Sequence, residues 1–178
     1  RKGSSKTEAE RIKLLMNELN LAVYDRKCVK PAEEKEKLCH QPSVAIELND
    51  GRVVVGRRTS ILSASASVVL NALKTLSGIE DRNELISAQV LEPILTLKKD
   101  ILHSENNTLS LNDVLTALYI SANLNPSAKE ACKYIKDLEH AQAHSTHILN
   151  KTDEDCLKRL GLDITCGAKF STNNLMEI

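Results

Sequence analysis

Residues 43–78, SVAIELNDGRVVVGRRTSILSASASVVLNALKTLSG, predict a β-hairpin that leads directly into a long helix. The first strand alternates apolar with other residues, and its apolar positions are Val44, Ile46 and Leu48. Asn49-Asp50-Gly51 predicts the turn, because Asp-Gly supplies the positive φ angles of a two-residue hairpin loop. Residues 52–56 are expected to form the returning strand.

The helix after this hairpin has both a start signal and an apolar face. Thr59 or Ser60 is expected to cap it by accepting a hydrogen bond from a free backbone N–H. Its apolar residues recur at helical spacing, at Leu62, Ala66, Val69, Leu70, Leu73 and Leu76. Hairpin and helix together predict how the hydrophobic core begins, but they identify no reaction.

The composition fits one domain and argues against two classes of protein. The 178 residues are 42% hydrophobic but only 2% aromatic, so Leu, Ile, Val and Ala must fill the core. Lys+Arg and Asp+Glu both number 24, whereas nucleic-acid-binding proteins usually carry a basic excess. No apolar run approaches the ~18 residues that a membrane span requires. We therefore expect neither nucleic acid nor membrane as a partner.

Cysteine usage and the start of the chain predict a cytoplasmic fragment. The cysteines form no C-x-x-C pair and their number is odd, which favours free thiols in a reducing compartment. They are Cys28, Cys39, Cys132, Cys156 and Cys166. The chain begins at Arg1 without a methionine, which predicts a fragment or a processed piece of a protein.

Residues 1–40 predict a helical arm, and residues 41–178 a C-terminal α+β domain. Ser5-x-x-Glu8 fits a capping box ahead of an amphipathic helix with Ile12, Leu15, Met16 and Leu19 on one stripe. A second helix over residues 32–38 carries few apolar residues, and we expect its surface to be solvated.

Two further helix starts are marked in the middle of the chain. Ser110-x-x-Asp113 resembles a capping box with Asp in the usual place of Glu. Asn125-Pro126 ends that helix and starts another, with Asn125 as the cap and Pro126 in the first helical position. The two helices are expected to form a helical hairpin.

The C-terminal part predicts a strand, a short helix and another strand. Residues 141–149 form the first strand, Thr152 or Asp153 caps the helix, and residues 162–166 form the last strand. A βαβ unit should place these strands parallel. The fold is therefore expected to be α+β, a small mixed sheet of hairpin and βαβ unit covered by several amphipathic helices.

His140, His144 and His147 lie at a spacing that invites a metal-site interpretation. On a helix, His140 and His144 would share a face, but the metalloprotease motif needs Glu where Ala141 stands. On a strand, His144 and His147 point to opposite faces and cannot bind one ion. We therefore predict no metal, with the histidines at the surface or bonded to backbone.

Ser145 and Thr146 beside His144 raise the question of a nucleophile. Adjacent Ser and His are rarely paired in space, and no G-x-S-x-G elbow is present. Hydroxyl groups that bond a neighbouring loop are the simpler interpretation. His144, Ser145 and Thr146 remain the candidate catalytic residues.

Arg57, Arg58, Thr59 and Ser60 form the candidate anion site. They follow a strand and precede a helix, whose N-terminal N–H groups and dipole attract anions. The two arginines would add charge-assisted hydrogen bonds. Two solvated arginines beside an ordinary helix cap are the alternative.

These segments resemble one known family. Five segments follow its pattern in order: residues 50–79, 85–102 (LISAQVLEPILTLKKDIL), 111–131 (LNDVLTALYISANLNPSAKEA), 143–149 (AHSTHIL) and 153–166 (DEDCLKRLGLDITC). It is the mostly bacterial, cytosolic family called domain of unknown function 1846. The resemblance implies that this chain is the C-terminal part of a longer protein. It also implies an upstream α/β region with a loop similar to a nucleotide-binding P-loop, which would bind ATP or another nucleotide.

The resemblance also shows where this chain departs from the family. Asn125-Pro126, Asp153-Glu154 and Thr165-Cys166 match the pattern, as do the candidate catalytic residues. The family tends to have Cys-Glu where Ala141 and Gln142 stand, and Glu-Pro where Gly167-Ala168 stands. If the missing acidic groups served as general acid or base, the chemistry here is altered or lies elsewhere.

Two hypotheses follow. In the first, this domain forms one wall of an enzyme cleft with the upstream region, with His144 as acid, base or ligand and Arg57 and Arg58 as anion clamps. Ser145 and Thr146 would be its polar anchors. In the second, the domain is a non-catalytic assembly module of a homo-oligomer, and the Ala- and Ser-rich residues 63–72 pack against another subunit.

Overall fold

The computed structural model describes residues 4–104 and 108–170, with a four-stranded mixed sheet and helices on both of its faces. The helices are α1 (Ser4–Glu18), α2 (Val29–Cys39), α3 (Ala64–Ser77), α4 (Ala88–Thr96), α5 (Leu111–Ser121), α6 (Pro126–Cys132) and α7 (Lys151–Arg159). The strands are β1 (Ser43–Glu47), β2 (Val53–Arg57), β3 (Gln142–His147) and β4 (Asp163–Lys169). Short 3-10 turns cover Val23–Asp25 and Ile135–Leu138, and a π-helical turn covers Leu97–Ile101. Within the described ranges, no helix combines the length and apolar character needed to cross a membrane.

β1 and β2 form the predicted hairpin, but its loop has three residues instead of two. The Leu48 N–H donates to the Arg52 carbonyl at 2.8 Å, so residues 49–51 form the loop. The Gly51 N–H donates to the Leu48 carbonyl at 2.8 Å, and Gly51 has φ +85°. A turn followed by a left-handed glycine is the common three-residue hairpin. The predicted positive φ of Gly51 is therefore confirmed, whereas the predicted loop length of two residues is wrong.

The sheet has the order β2-β1-β3-β4. β1 is antiparallel to both β2 and β3, and β3 is parallel to β4. Because α7 connects the two parallel strands, the predicted βαβ unit and the α+β class are confirmed. The carboxyl ends of β2, β3 and β4 and the amino end of β1 consequently lie at one end of the sheet.

The main hydrophobic core lies between one face of the sheet and the helices that follow it. α3 packs on β1 and β2, and it also contacts α5, α6 and α7. Fully buried core residues include Val44, Ile46, Val68, Val69, Leu73, Leu111, Leu118, Leu138, Ala143 and Leu157. Burying each Leu, Ile or Val side chain contributes about 1.5–3 kcal/mol, so this aliphatic layer accounts for the fold without aromatic residues.

α2 covers the opposite face of the sheet, which corrects the expectation of a solvated helix. Cys28, Val29 and Ala32 are buried, and Cys28 and Ala32 pack against Ala45 of β1. Small side chains let the helix approach the strands closely, so a few apolar residues are enough to seat it. The division of the chain at residue 40 stays a prediction, although α2 contacts β1, β2 and β3.

The start of α3 also differs from the prediction. Ser63 caps the helix, with its Oγ accepting from the Ala66 N–H at 3.2 Å. Thr59, predicted with Ser60 as the cap, instead accepts two backbone N–H groups of the connecting segment. This segment stays extended because it pairs with Leu109, whose carbonyl accepts the Ser63 N–H at 2.9 Å. The helix cap therefore lies four residues after Thr59 and three after Ser60.

The helix starts predicted in the middle of the chain are confirmed. Ser110 Oγ accepts from the Asp113 N–H, and the Asp113 carboxylate accepts from the Ser110 N–H at 2.9 Å. Asn125 caps α6 and Pro126 occupies its first position. Local capping chemistry was sufficient at both places.

α1 exposes the apolar stripe that the sequence predicts. Ile12, Leu15 and Leu19 are 58%, 56% and 66% exposed. The Ser5 and Glu8 side chains of the predicted capping box lie outside the described residues. The stripe is therefore available for contact with another protein segment.

Candidate functional site

His144, Ser145 and Thr146 occupy the centre of β3 and are buried, at 7%, 1% and 3% exposure. His144 pairs with Ala45 on the face covered by α2, and its Nδ1 lies 2.9 Å from Thr165 Oγ1. Burial lowers the pKa of His144 below its usual 6.5, with Glu33 opposing this shift and Arg26 adding to it. The ring is consequently neutral at neutral pH.

The two hydroxyl groups beside His144 have partners inside the fold. Ser145 Oγ donates to the His147 carbonyl at 2.6 Å. Thr146 Oγ1 accepts from the Ser43 N–H at 3.1 Å and lies 2.9 Å from His147 Nδ1. These contacts fix the end of β3 against β1. A catalytic role for Ser145 and Thr146 stays a prediction.

His147 is the more accessible histidine of this strand, and the sequence interpretation placed the acid–base role on His144 instead. The Nε2 atom of His147 lies 3.9 Å from Glu36 Oε1, and the Lys169 ammonium pairs with both Glu36 oxygens at 3.0 and 3.1 Å. The His147 and Glu36 side chains are 16% and 17% exposed. Partial burial lowers the pKa of His147, Glu36 opposes this, and Lys169 adds to it.

Both His144 and His147 approach α2, contrary to the expectation that a strand would separate them. Glu33 of α2 acts on His144 and Glu36 acts on His147. The pairing of β3 with β4 is irregular between Ser145 and His147, where β4 carries one residue more than β3. Strict alternation along β3 does not predict that both histidines lie near α2.

A groove of about 560 Å³ opens at this end of the sheet, between α2 and the carboxyl ends of β3 and β4. We call it the carboxyl-end groove. Its titratable lining residues are Glu33, Glu36, Lys37, His40, His147 and Lys169. Ligands of open α/β sheets bind outside the carboxyl ends of strands, so this is a typical position for a binding site. A neutral imidazole beside a carboxylate and an ammonium group can exchange protons with a ligand there.

The structure does not assemble the histidines into a metal site. Within residues 4–104 and 108–170, no group of three or more His, Cys, Asp or Glu side chains is arranged to hold an ion. His140 lies before the amino end of β3 with its side chain 86% exposed. All five cysteines are free, as predicted, and burial raises the thiol pKa of Cys28, Cys132, Cys156 and Cys166.

The four residues of the candidate anion site separate into two pairs. Arg57 and Thr59 line a second pocket beside β2, of about 400 Å³. Arg58 and Ser60 are not among its lining residues in the described part of the chain. The Arg58 N–H instead donates to the Pro42 carbonyl at 2.8 Å.

Of two positions that depart from the family pattern, Gly167 lies close to the site and Gln142 does not. Gly167 approaches Thr146 so closely that a Cβ on it would lie 2.4 Å from the Thr146 carbonyl oxygen. The backbone of this chain therefore has no room for the glutamate that the resemblance implies there. Gln142 is exposed at the start of β3, far along the strand from His147.

Asp153 was predicted only as an alternative helix cap, and the structure gives it another role. Asn150 caps α7, and Asp153 is 1% exposed with its Oδ1 accepting the Leu111 N–H at 2.7 Å. It therefore ties the start of α7 to the start of α5. A short polar residue within a capping sequence gives no sign of this long-range contact.

Comparison with known proteins identifies the family. The profile described as "Domain of unknown function DUF1846, C-terminal" matches residues 24–176. The chain is 43% identical over 174 residues to a UPF0371 protein of Clostridioides difficile, covering 93% of this chain and 35% of that protein. A UPF0371 protein of Fusobacterium nucleatum is 37% identical over 188 residues, covering 98% of this chain and 37% of that protein. This chain thus spans just over a third of the length of these relatives, and it belongs to the uncharacterised bacterial DUF1846 family, whose C-terminal domain it matches.

Proposed function

We propose that this chain is the C-terminal domain of a cytoplasmic, nucleotide-dependent enzyme, and that the carboxyl-end groove is one wall of its cleft. The observation that carries the proposal is the contact of His147 with Glu36, which also pairs with Lys169, in an open groove at the carboxyl ends of parallel strands. The other wall would come from the upstream α/β region that the family resemblance implies. ATP or another nucleotide would bind to that region.

His147 is the proposed acid–base group of this wall. Its lowered pKa keeps the imidazole neutral near pH 7, so that it can accept a proton from a bound ligand. Glu36 then stabilises the imidazolium that forms, and Lys169 holds Glu36 in place. In this proposal Ser145 and Thr146 are positioning residues, because Thr146 contacts His147 Nδ1 and Ser145 binds its carbonyl. His144 contacts Thr165 instead and has no direct part in holding His147.

The test uses the full-length protein and measures phosphate release from ATP and GTP. His147→Gln is expected to lower the turnover number at least about 100-fold, the contribution typical of a general acid or base. His140→Gln is the matched control, because His140 precedes the same strand but lies at its other end, 86% exposed on its side chain. Equal turnover in wild type and His147→Gln would exclude this role for His147. Absence of nucleotide turnover in the wild type would contradict the nucleotide dependence.

Assembly of a homo-oligomer is the second candidate function, but it needs a different surface from the one predicted. Residues 64–69 are buried within this chain, against its own sheet and helices, so they cannot also pack against another subunit. The exposed stripe of α1 favours an assembly role instead. Its apolar residues at Ile12, Leu15 and Leu19 repeat at helical spacing, as in helices that pair with a partner.

Light scattering on the full-length protein tests the assembly role. We expect an oligomer whose dissociation constant rises at least about tenfold in Leu15→Glu, because a buried charge without a partner opposes association. Lys13→Glu is the control, since Lys13 lies off the stripe and is already exposed. A wild-type protein that is monomeric at high concentration would rule out this function.

A further inference from the structure

The pocket lined by Arg57 and Thr59 lies beside β2, an edge strand of the sheet. We call it the β2-edge pocket. It has a volume of about 400 Å³ and is bounded by β2, α3 and residues 84–91. Pockets of this size accommodate small organic ligands. It is a separate cavity, and nothing proposed for the carboxyl-end groove depends on it.

Ser67 of α3 lines the β2-edge pocket with an unsatisfied hydroxyl group. The residue is 8% exposed, and its Oγ has no hydrogen-bond partner among the described residues. A buried polar group without a partner is costly, and such groups commonly mark the place of a missing ligand or water. The Oγ atom itself is buried, so a ligand oxygen has to reach it from the pocket to accept this hydrogen bond.

The charges around the pocket favour an anion. Lys35, Arg57 and Lys74 line it, against Glu84 as the single acidic lining residue in the described part of the chain. Lys74 donates to the Asp81 carbonyl at 2.7 Å. Within residues 4–104 and 108–170, none of Lys35, Arg57 and Lys74 forms an ion pair, so the pocket keeps uncompensated cations.

The remaining wall of the pocket is apolar. Its apolar lining residues come from α3, from the segment that leads into α4, and from α4 itself, and they are Leu70, Leu85, Ile86 and Leu91. Leu85, Ile86 and Leu91 are 2%, 7% and 9% exposed, so a small apolar area faces the pocket. The apolar part of an organic anion would cover that area, whereas an inorganic anion would not. A pocket with cations beside an apolar wall is thus suited to a ligand with one anionic end and one apolar end.

We propose that the β2-edge pocket binds a small organic oxyanion, with the anionic group at Arg57 and Ser67 and the apolar part of the ligand against the apolar wall. The oxyanion is either a phosphate monoester or a carboxylate, since both offer oxygen acceptors to a guanidinium group and a hydroxyl. This site is narrower than the one predicted from sequence. It keeps Arg57 and Thr59, adds Ser67, and does not use Arg58 or Ser60.

Calorimetric titration of the full-length protein with phenyl phosphate and with benzoate tests the proposal. At least one of the two should bind saturably, and the tighter one identifies the oxyanion. Inorganic phosphate should bind at least about tenfold more weakly than phenyl phosphate if the phosphate arm is correct, because it cannot cover the apolar wall. No saturable binding of either organic probe would overturn the proposal.

Matched variants locate the binding. Arg57→Gln should weaken binding of the tighter probe at least about tenfold, whereas Arg58→Gln, with the same charge change one residue away, should leave it unchanged. Ser67→Ala should weaken binding several-fold, but Ser65→Ala should not, although Ser65 also has a buried hydroxyl without a partner. Equal losses for Arg57→Gln and Arg58→Gln would show general charge attraction and overturn the assignment.

Discussion

Gly56→Ala is expected to lower the free energy of unfolding by about 3 kcal/mol, at the upper end of the cost of overpacking a core. Gly56 of β2 lies directly against α3 where its second turn begins. A Cβ added to it would stand 2.2 Å from the Val68 backbone nitrogen and 2.5 Å from the Val68 Cα. Because these are backbone atoms, no side-chain rotation can relieve the contact. The strand must move away from the helix, which disturbs the pairing of Gly56 with Val44 as well.

Urea unfolding followed by circular dichroism measures this loss. Gly51→Ala is the control, because its added Cβ would meet nothing within 4 Å and only the left-handed φ of +85° opposes it. That variant should cost about 1 kcal/mol. If Gly56→Ala proved no more destabilising than Gly51→Ala, the close contact between β2 and α3 would be wrong.

Asp153→Ala is expected to cost about 2–3 kcal/mol, the loss typical of a buried donor deprived of a charged partner. Asp153 Oδ1 accepts the Leu111 N–H at 2.7 Å, and both residues are almost completely buried. The carboxylate also sits in the first turn of α7 and faces the first turn of α5, so the positive ends of two helices stabilise it. Alanine would leave the Leu111 N–H without an acceptor.

Two further variants separate the hydrogen bond from the charge. Asp153→Asn keeps an oxygen acceptor and should lose less than Asp153→Ala in the same unfolding measurement. Asp155→Ala removes a carboxylate from the same helix that makes no hydrogen bond with described side chains or backbone, and should change stability by less than about 0.5 kcal/mol. Equal effects of Asp153→Ala and Asp155→Ala would mean that α5 does not depend on this contact.

The elements that the sequence predicted correctly are those whose signals are local. The Asp50-Gly51 turn, the capping box at Ser110 and the Asn125-Pro126 helix start each act within four residues. The alternation of Val44 and Ile46 likewise reports one buried face of a strand. The predicted order of strand, helix and strand near the C-terminus also predicted the parallel pair, because a crossover helix joins parallel strands of one sheet.

The features that the sequence did not predict depend on distant partners. Ser63 replaces Thr59 as the cap of α3 because Leu109, far along the chain, holds the connecting segment extended. The composition of α2 predicts a solvated helix, yet Ala32 and the preceding Cys28 pack against a face of the sheet. His147 gains its position from Glu36 on that helix and from the irregular pairing of β4. Residue types therefore predicted part of the candidate site, but they did not predict which side chains contact each other.

The hydrogen bond from the Ser43 N–H to Thr146 Oγ1 joins residues 103 positions apart in the chain. It belongs to the seam at which the hairpin strand β1 meets β3 of the βαβ unit. Chain entropy delays contacts between residues so far apart, whereas the hairpin and the βαβ unit each close locally. During synthesis, β1 keeps an open edge until the ribosome has made most of the domain, and an open edge invites wrong strand pairing. We therefore expect closure of this seam to be a late step of folding.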